Sequence, residues 1–260
     1  MKLSEDEHRL GRLEDRNIEA ARRAFDEDGF LFVESVVGER AVAACRAAVQ
    51  ADLAVEHKFQ EFPDVAGIGT SFFEFDGPFA DPEIVANPIL LQLLDALLGP
   101  AFTCSVYNTN VSKPGAARDQ PVHVDVASAG VEGVPFSRHA SVHITLCAFN
   151  EENGSTELWP GTHRLRTDRE ADLEAAATTR PSVRANLPAG SLVVRDASVW
   201  HRGRVNHTDE HREMLSFYVT AKGEPAEGIV YGRPLVIRRS VLDRLPPRAQ
   251  EVWAVNELVD

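Results

Sequence analysis

From residue 101 to residue 221 the chain is a succession of short apolar runs, "FTCSVYNTNV", "PVHVDVA", "ASVHITLCAF", "STELWP", "SVRANL", "GSLVVRD" and "EMLSFYVTA", parted by clusters of Gly, Pro, Asn and Asp. A parallel sheet would need a crossover of roughly a dozen residues or more, usually a helix, between successive strands. Inside this block only "DREADLEAAA" at 168–177 reads as helical. Many short strands with frequent turn signals specify an antiparallel sandwich or barrel instead. The block therefore predicts a mainly β fold built on a double-stranded β-helix, the jelly-roll or cupin-like arrangement.

Helical signals gather around that core. Residues 5–27, rich in Glu, Arg and Ala, read as an exposed amphipathic helix, and "DGFLFVESVV" follows as a turn and an apolar strand. A second helix is expected from about Glu39 to Ala54, and "DPEIVANPILLQLLDALLG" reads as one strong helix with Asp81 as N-cap and Gly99 past its end. The expected organisation is a single domain over 1–260: a helical layer to about residue 100, a jelly-roll core over about 101–235 and a tail helix over about 240–260. Residues 62–83 mix five Phe with turns punctuated by Gly and Pro. That segment is either packed irregular structure or a cover over a cavity.

The net charge of −13 argues against nucleic acid or an anionic membrane surface as partner, since both are held by excess Lys and Arg. No stretch is long and apolar enough to span a bilayer, and "MKLSEDEHRLGRLEDR" lacks the apolar run of a secretory signal. A cytoplasmic protein with a small-molecule partner is expected. Cys45, Cys104 and Cys147 show no C-x-x-C spacing and are expected as small buried apolar residues.

Chemistry enters with "QPVHVDVAS", residues 120–128. Successive strand side chains point to opposite faces, so Val122, Val124 and Val126 share one face and His123 and Asp125 the other, about 6.8 Å apart at Cα. Two more His-x-acid triplets, His207/Asp209 and His211/Glu213, show that the spacing alone is common in a chain with nine His and 40 acidic residues. Context comes from "GSLVVRDASVWHRGRVNHTDEHREMLSFYV", 190–219: a buried strand, His201 beside a turn, a polar loop, then a strand opening at Arg212. Alternation groups Arg212, Met214, Ser216 and Tyr218 on a mixed face, with Glu213, Leu215, Phe217 and Val219 opposite. His123, Asp125 and a distant third His would form a 2-His-1-carboxylate set, which leaves open positions on non-haem Fe(II). An Arg on the strand beyond could hold a carboxylate in a bidentate fork.

From "FDEDGFLFVESVV" through "QPVHVD" and "NEENGSTELWPGTHR" to "HRGRVNHTDEHR" the chain resembles the phytanoyl-CoA dioxygenase-like family of Fe(II)- and 2-oxoglutarate-dependent oxygenases. The resemblance implies iron ligands His123, Asp125 and His201, and Arg212 binding the distal carboxylate of 2-oxoglutarate. Gln120 and Thr156 resemble positions that assist the co-substrate. It implies Fe(II), 2-oxoglutarate and O2 as cofactor and co-substrates, with ascorbate as reductant in vitro. The products would be succinate, CO2 and a small organic molecule oxidised, by default hydroxylated, at an unactivated C–H bond. Asp125 disfavours a halogenase, whose halide takes the carboxylate's place. The Phe-rich segment and acidic balance lean toward an apolar, natural-product-like substrate. Two rivals remain: a zinc or other metal hydrolase or isomerase on a cupin-like barrel, and a ligand-binding barrel without turnover. Arg212 argues against the first, since a hydrolase has no general need of a dicarboxylate clamp.

Overall fold

A computed structural model describes residues 1–55, 57–62, 65–126, 139–165, 173–222 and 235–260. The N-terminal part comprises α1 (Glu5–Leu10), α2 (Asp15–Asp28), β1 (Phe30–Val33), α3 (Glu39–Leu53), β2 (Phe59–Phe62), β3 (Val65–Ser71), α4 (Pro82–Val85) and α5 (Pro88–Leu98). There follow β4 (Phe102–Ser112), β5 (His139–Thr145), β6 (Glu157–Leu158), α6 (Leu173–Ala177), β7 (Val183–Arg184), β8 (Leu192–Asp196), β9 (His201–Arg202) and β10 (Arg212–Ala221). The chain closes with β11 (Val236–Arg238), α7 (Arg239–Leu242), α8 (Pro247–Trp253) and β12 (Glu257–Val259).

Seven strands form the larger sheet, in the order β1-β8-β5-β10-β4-β3-β2 and antiparallel throughout. Its two faces differ sharply in chemistry. Leu31, Val33, Leu192, Val194, Val142, Ile144, Leu215 and Phe217 point to one side and join the main core with Phe25, Val42, Leu94 and Trp253 from the helices. On the other face the register aligns Arg212 with Ser112, Met214 with Asn110 and Thr145, Ser216 with Asn108 and His143, and Ser141 with both Tyr218 and Arg195. Packing accounts for the first face. The polar second face, though mostly buried, turns toward a smaller sheet of order β7-β6-β9. Leu158, Ala185 and Leu187 meet Phe30, Val193 and Val199 between the two sheets, which makes the pair a sandwich.

The expected jelly-roll core with flanking helices is therefore present, and the differences are local. The helix expected over 5–27 is two, because Gly11 ends α1 in a left-handed conformation (φ 59°). The helix expected over 81–98 breaks at Asn87-Pro88: proline has no N–H to continue the ladder, and Asn87 caps the new helix by accepting from the Ile89 and Leu90 N–H groups. Asp81 and Gly99 cap as expected. Of the helix expected over 168–177 the described part is α6, and residues 166–172 lie outside the described residues. The tail is two short helices and the parallel pair β11 and β12, in place of one helix.

The Phe-rich segment belongs to the fold. Its first part supplies β3, paired between β4 and the edge strand β2 of the larger sheet, while Phe73 stacks on Phe79 at 3.8 Å and Phe75 lies 5.2 Å from Trp253, ring centre to centre. Opposite these rings β4 bulges, with Val106 at φ 50°. The extra residue sends Tyr107 into the aromatic core while Asn108 stays on the polar face. No described helix is long and apolar enough to cross a membrane.

Candidate active site

His123 and His201 lie directly opposite one another. Each donates its backbone N–H to the other's carbonyl at 3.0 Å, an antiparallel bridge that puts both side chains on one face with ring centres 4.2 Å apart. The strand expected over "PVHVDVA" is reduced to this single bridge, and Asp125, two residues on, lies in a bend, its N–H donating to the Ala197 carbonyl at 2.9 Å. One donor atom from each of the three residues falls within 4.8 Å of the others. Val122 and Val124 point the other way, as expected, against a satellite cluster of Trp159, Trp200 and Leu173.

Backbone carbonyls set the imidazole tautomers. Nδ1 of His123 lies 2.9 Å from the Pro121 carbonyl and Nδ1 of His201 lies 2.9 Å from that of Val199. A carbonyl only accepts, so each Nδ1 carries the proton and each Nε2 keeps its lone pair for a metal. Burial, with Arg195 and His123 nearby, holds the His201 pKa well below the ordinary value. For Asp125 burial acts upward, but the charge of Arg195 beside it acts the other way, and the carboxyl is held below the usual carboxylate range. At neutral pH His201 is thus neutral and Asp125 ionised, the states that bind a divalent cation. Two imidazoles and one carboxylate converging from one side fit Fe(II) with positions left open.

Arg212 is 2% exposed, and its burial lowers its pKa to about 10. The guanidinium lies 5.0 Å from the Phe149 ring centre, Nη1 is 3.9 Å from the Met214 sulfur, and Nε has no hydrogen-bond partner. Among the described residues no carboxylate comes within ion-pair distance of it. A buried guanidinium without a counter-ion is costly, and a ligand carboxylate would relieve that cost. Space for one is kept at Gly203, where a Cβ would stand 2.7 Å from Gln120 Oε1 and 3.7 Å from Arg212 Nη2. Gln120 is fixed to this glycine twice: its Oε1 accepts from the Gly203 N–H at 2.8 Å, and its own N–H donates to the Gly203 carbonyl at 2.9 Å. Thr156 directly precedes β6, whose pairing Leu158↔His201 and Glu157↔Arg202 stops one residue short of it. Gln120 and Arg212 flank Gly203, an arrangement that fits a carboxylate.

Gly203→Ala is expected to raise the KM for 2-oxoglutarate by about ten- to a hundredfold through displacement of Gln120 and crowding of Arg212. Metal affinity should not change. Titrating Mn(II) and 2-oxoglutarate separately checks both; a wild-type KM would remove Gly203 from the co-substrate site.

The other His-x-acid triplets do not join this cluster. Asp209 and His211 line a separate cleft of about 340 Å³ with Arg46 and Cys147, and Glu213 is buried in contact with Arg46 and Gln50. A larger cleft of about 600 Å³ opens at His123, bordered by Arg118, Gln120, Glu174 and Arg202. Sequence reasoning missed Arg195, whose Nη2 donates to Asp125 Oδ2 at 2.5 Å, and Ser141, whose hydroxyl donates to the same oxygen at 3.0 Å. A charge inside the apolar run "SLVVRD" was the available signal for Arg195.

The sequence profile of the phytanoyl-CoA dioxygenase (PhyH) family matches residues 25–214, most of the chain. The chain belongs to the phytanoyl-CoA dioxygenase family. It is an oxidoreductase of the Fe(II)/2-oxoglutarate-dependent dioxygenase type, and Fe(II) and 2-oxoglutarate are its cofactor and co-substrate. It is 26% identical over 258 residues to the dioxygenase af480 of Aspergillus fumigatus, covering 93% of this chain and 78% of that one. Among solved structures it shares the fold of SnoK, a non-haem alpha-ketoglutarate-dependent carbocyclase from nogalamycin biosynthesis. That match has a TM-score of 0.62 and 20% identity and covers 80% of this chain and 84% of SnoK. The epimerase SnoN, solved with Fe3+, alpha-ketoglutarate and nogalamycin RO, matches with a TM-score of 0.65 at 18% identity over 85% of this chain and 96% of SnoN.

Proposed function

We propose that this PhyH-family dioxygenase removes hydrogen from an unactivated C–H bond of a small organic molecule, with hydroxylation as the default outcome, and that His123, Asp125 and His201 hold its iron. The observation that carries the reading is Arg212, a buried cation that has no carboxylate within ion-pair distance among the described residues and lies on the same sheet face as the groups around Asp125. Fe(II) with 2-oxoglutarate and O2 supplies the oxidising power when bound, yielding succinate and CO2. The chain supplies orientation. The two Nδ1–carbonyl hydrogen bonds aim the imidazoles, Arg212 holds the far carboxylate of 2-oxoglutarate with Gln120 and Thr156 beside it, and the sandwich walls keep bulk water away.

The substrate class follows from two supports. The carbocyclase and epimerase among the structural relatives act in the biosynthesis of a natural product, and ring closure, epimerisation and hydroxylation all start from hydrogen removal at carbon. The cleft at His123 carries Arg118, Arg202, Asp119 and Glu174 on its walls, which suits a substrate bearing hydroxyl or carbonyl groups. The Phe-rich segment, packed in the core, lends no support to an apolar one.

Incubation with Fe(II), ascorbate and 2-oxoglutarate should release succinate above the protein-free control, and anaerobic addition of Fe(II) and 2-oxoglutarate should produce a visible charge-transfer band. A metal hydrolase would give neither, and a ligand-binding barrel without turnover would give the band alone. Either result would overturn the proposal.

A further inference from the structure

We propose that Arg195 is a positioning residue that confines Asp125 to coordinating the iron through a single oxygen, so that a position for O2 survives once 2-oxoglutarate is bound. This rests on reading His123, Asp125 and His201 as the iron ligands. The donors converge on one side of the carboxylate. Oδ2 accepts from Arg195 Nη2 at 2.5 Å and from the Ser141 hydroxyl at 3.0 Å. Oδ1 faces the His201 imidazole, 3.6 Å from Nε2. Two donors occupy the lone pairs of Oδ2, leaving Oδ1 for a metal.

The count of positions gives this asymmetry its consequence. Two imidazoles and one carboxylate oxygen use three of six octahedral positions, and bidentate 2-oxoglutarate uses two more. One remains for O2. A carboxylate chelating through both oxygens would take that last position. Here chelation would require Oδ2 to leave Arg195, which is 3% exposed; among the described residues its Nε and Nη1 have no partner and Asp125 is the only carboxylate within ion-pair distance of it. The fold builds the restraint rigidly. Arg195 and Ser141 are register partners on adjacent strands, so both donors project from one face of β8 and β5. Rigid strands are the elements on which a ligand's orientation is best fixed.

The test uses Co(II) in place of iron, because its visible bands report coordination number without turnover. Wild type, Asp125→Ala, Arg195→Gln, Arg195→Lys and the hydroxyl-deleted Ser141→Ala are titrated with Co(II), then with 2-oxoglutarate. Arg195→Gln should bind Co(II) about 10- to 100-fold more weakly, show an altered spectrum at saturation, and bind 2-oxoglutarate more weakly. Arg195→Lys should recover part of this, since it restores the charge and one donor. A folded Arg195→Gln protein with wild-type affinity and spectrum overturns the proposal. If Arg195→Gln fails to fold, the hydroxyl-deleted variant decides: a smaller spectral change in the same direction supports the restraint, and no change overturns it. If Asp125→Ala keeps wild-type Co(II) binding, the ligand assignment itself is wrong, a failure distinct from that of Arg195.

Discussion

Replacing Arg212 by Ala should raise the KM for 2-oxoglutarate by about two to four powers of ten and leave metal affinity within a few-fold of wild type. A guanidinium fork gripping a buried carboxylate makes two charge-assisted hydrogen bonds, each contributing about 1.5 to 3 kcal/mol. Losing both costs roughly 3 to 6 kcal/mol, and each 1.4 kcal/mol is about a factor of ten. Arg212→Lys recovers part of the loss, since an ammonium restores the charge without the planar fork. The surroundings add a second expected result that a merely structural arginine would not give. Arg212 is buried over Phe149 and beside Met214 with no carboxylate in reach among the described residues, so in the ligand-free protein its charge opposes folding. Arg212→Met, which keeps much of the volume, should therefore raise the unfolding temperature of the ligand-free protein while abolishing the stabilisation that 2-oxoglutarate gives. For wild type that stabilisation is about 2.7 kcal/mol at a hundred times Kd. Thermal unfolding with and without 2-oxoglutarate, beside KM and Mn(II) titration, separates the cases. A wild-type KM in Arg212→Ala, or a lower unfolding temperature in ligand-free Arg212→Met, would make Arg212 a structural residue.

What could be read in advance divides along the range of the interactions. Alternation is local, so the opposition of His123 and Asp125 to Val122 and Val124, and of Arg212 to Glu213, is legible from neighbours alone. The helix break at Asn87-Pro88 is also local, since the dipeptide is itself a boundary signal. Pairing across distance is another matter. Nothing near His201 states that its backbone will exchange hydrogen bonds with His123, 78 positions earlier, or that Arg195 will find its carboxylate 70 positions away. The Phe-rich segment shows the same limit, since Phe73, Phe75 and Phe79 acquire their meaning from Tyr107 and Trp253. Arg195 was the costliest omission. Buried charges are rare unless paired, so an Arg aligned by alternation with Val193, between Val194 and Asp196 in an apolar strand, asks for a partner that only the fold can name.

Asp125→Ala should lose both iron and stability, and the two losses have separate causes that a second substitution pulls apart. With Asp125 as the proposed anionic ligand, its loss should weaken metal binding sharply. Stability falls because Arg195, 3% exposed, is left without the carboxylate it contacts; removing one partner of a buried pair costs about 3 to 5 kcal/mol. The sign with pH follows from the same pair. The folded-state pKa of Asp125 lies below its unfolded value, so its contribution is fully present above the unfolded value and is lost as pH falls toward the folded one. Acid should therefore erode wild-type stability more than that of Asp125→Ala. Adding Arg195→Met to Asp125→Ala removes the stranded charge and should return most of the lost stability without returning iron. Asp209→Ala, on an exposed loop by the separate cleft, should change neither. Urea unfolding and Fe(II) titration of the four proteins complete the cycle. Retained iron in Asp125→Ala would move the metal elsewhere, and a double variant no more stable than Asp125→Ala would mean that Arg195 does not depend on this carboxylate for its place in the core.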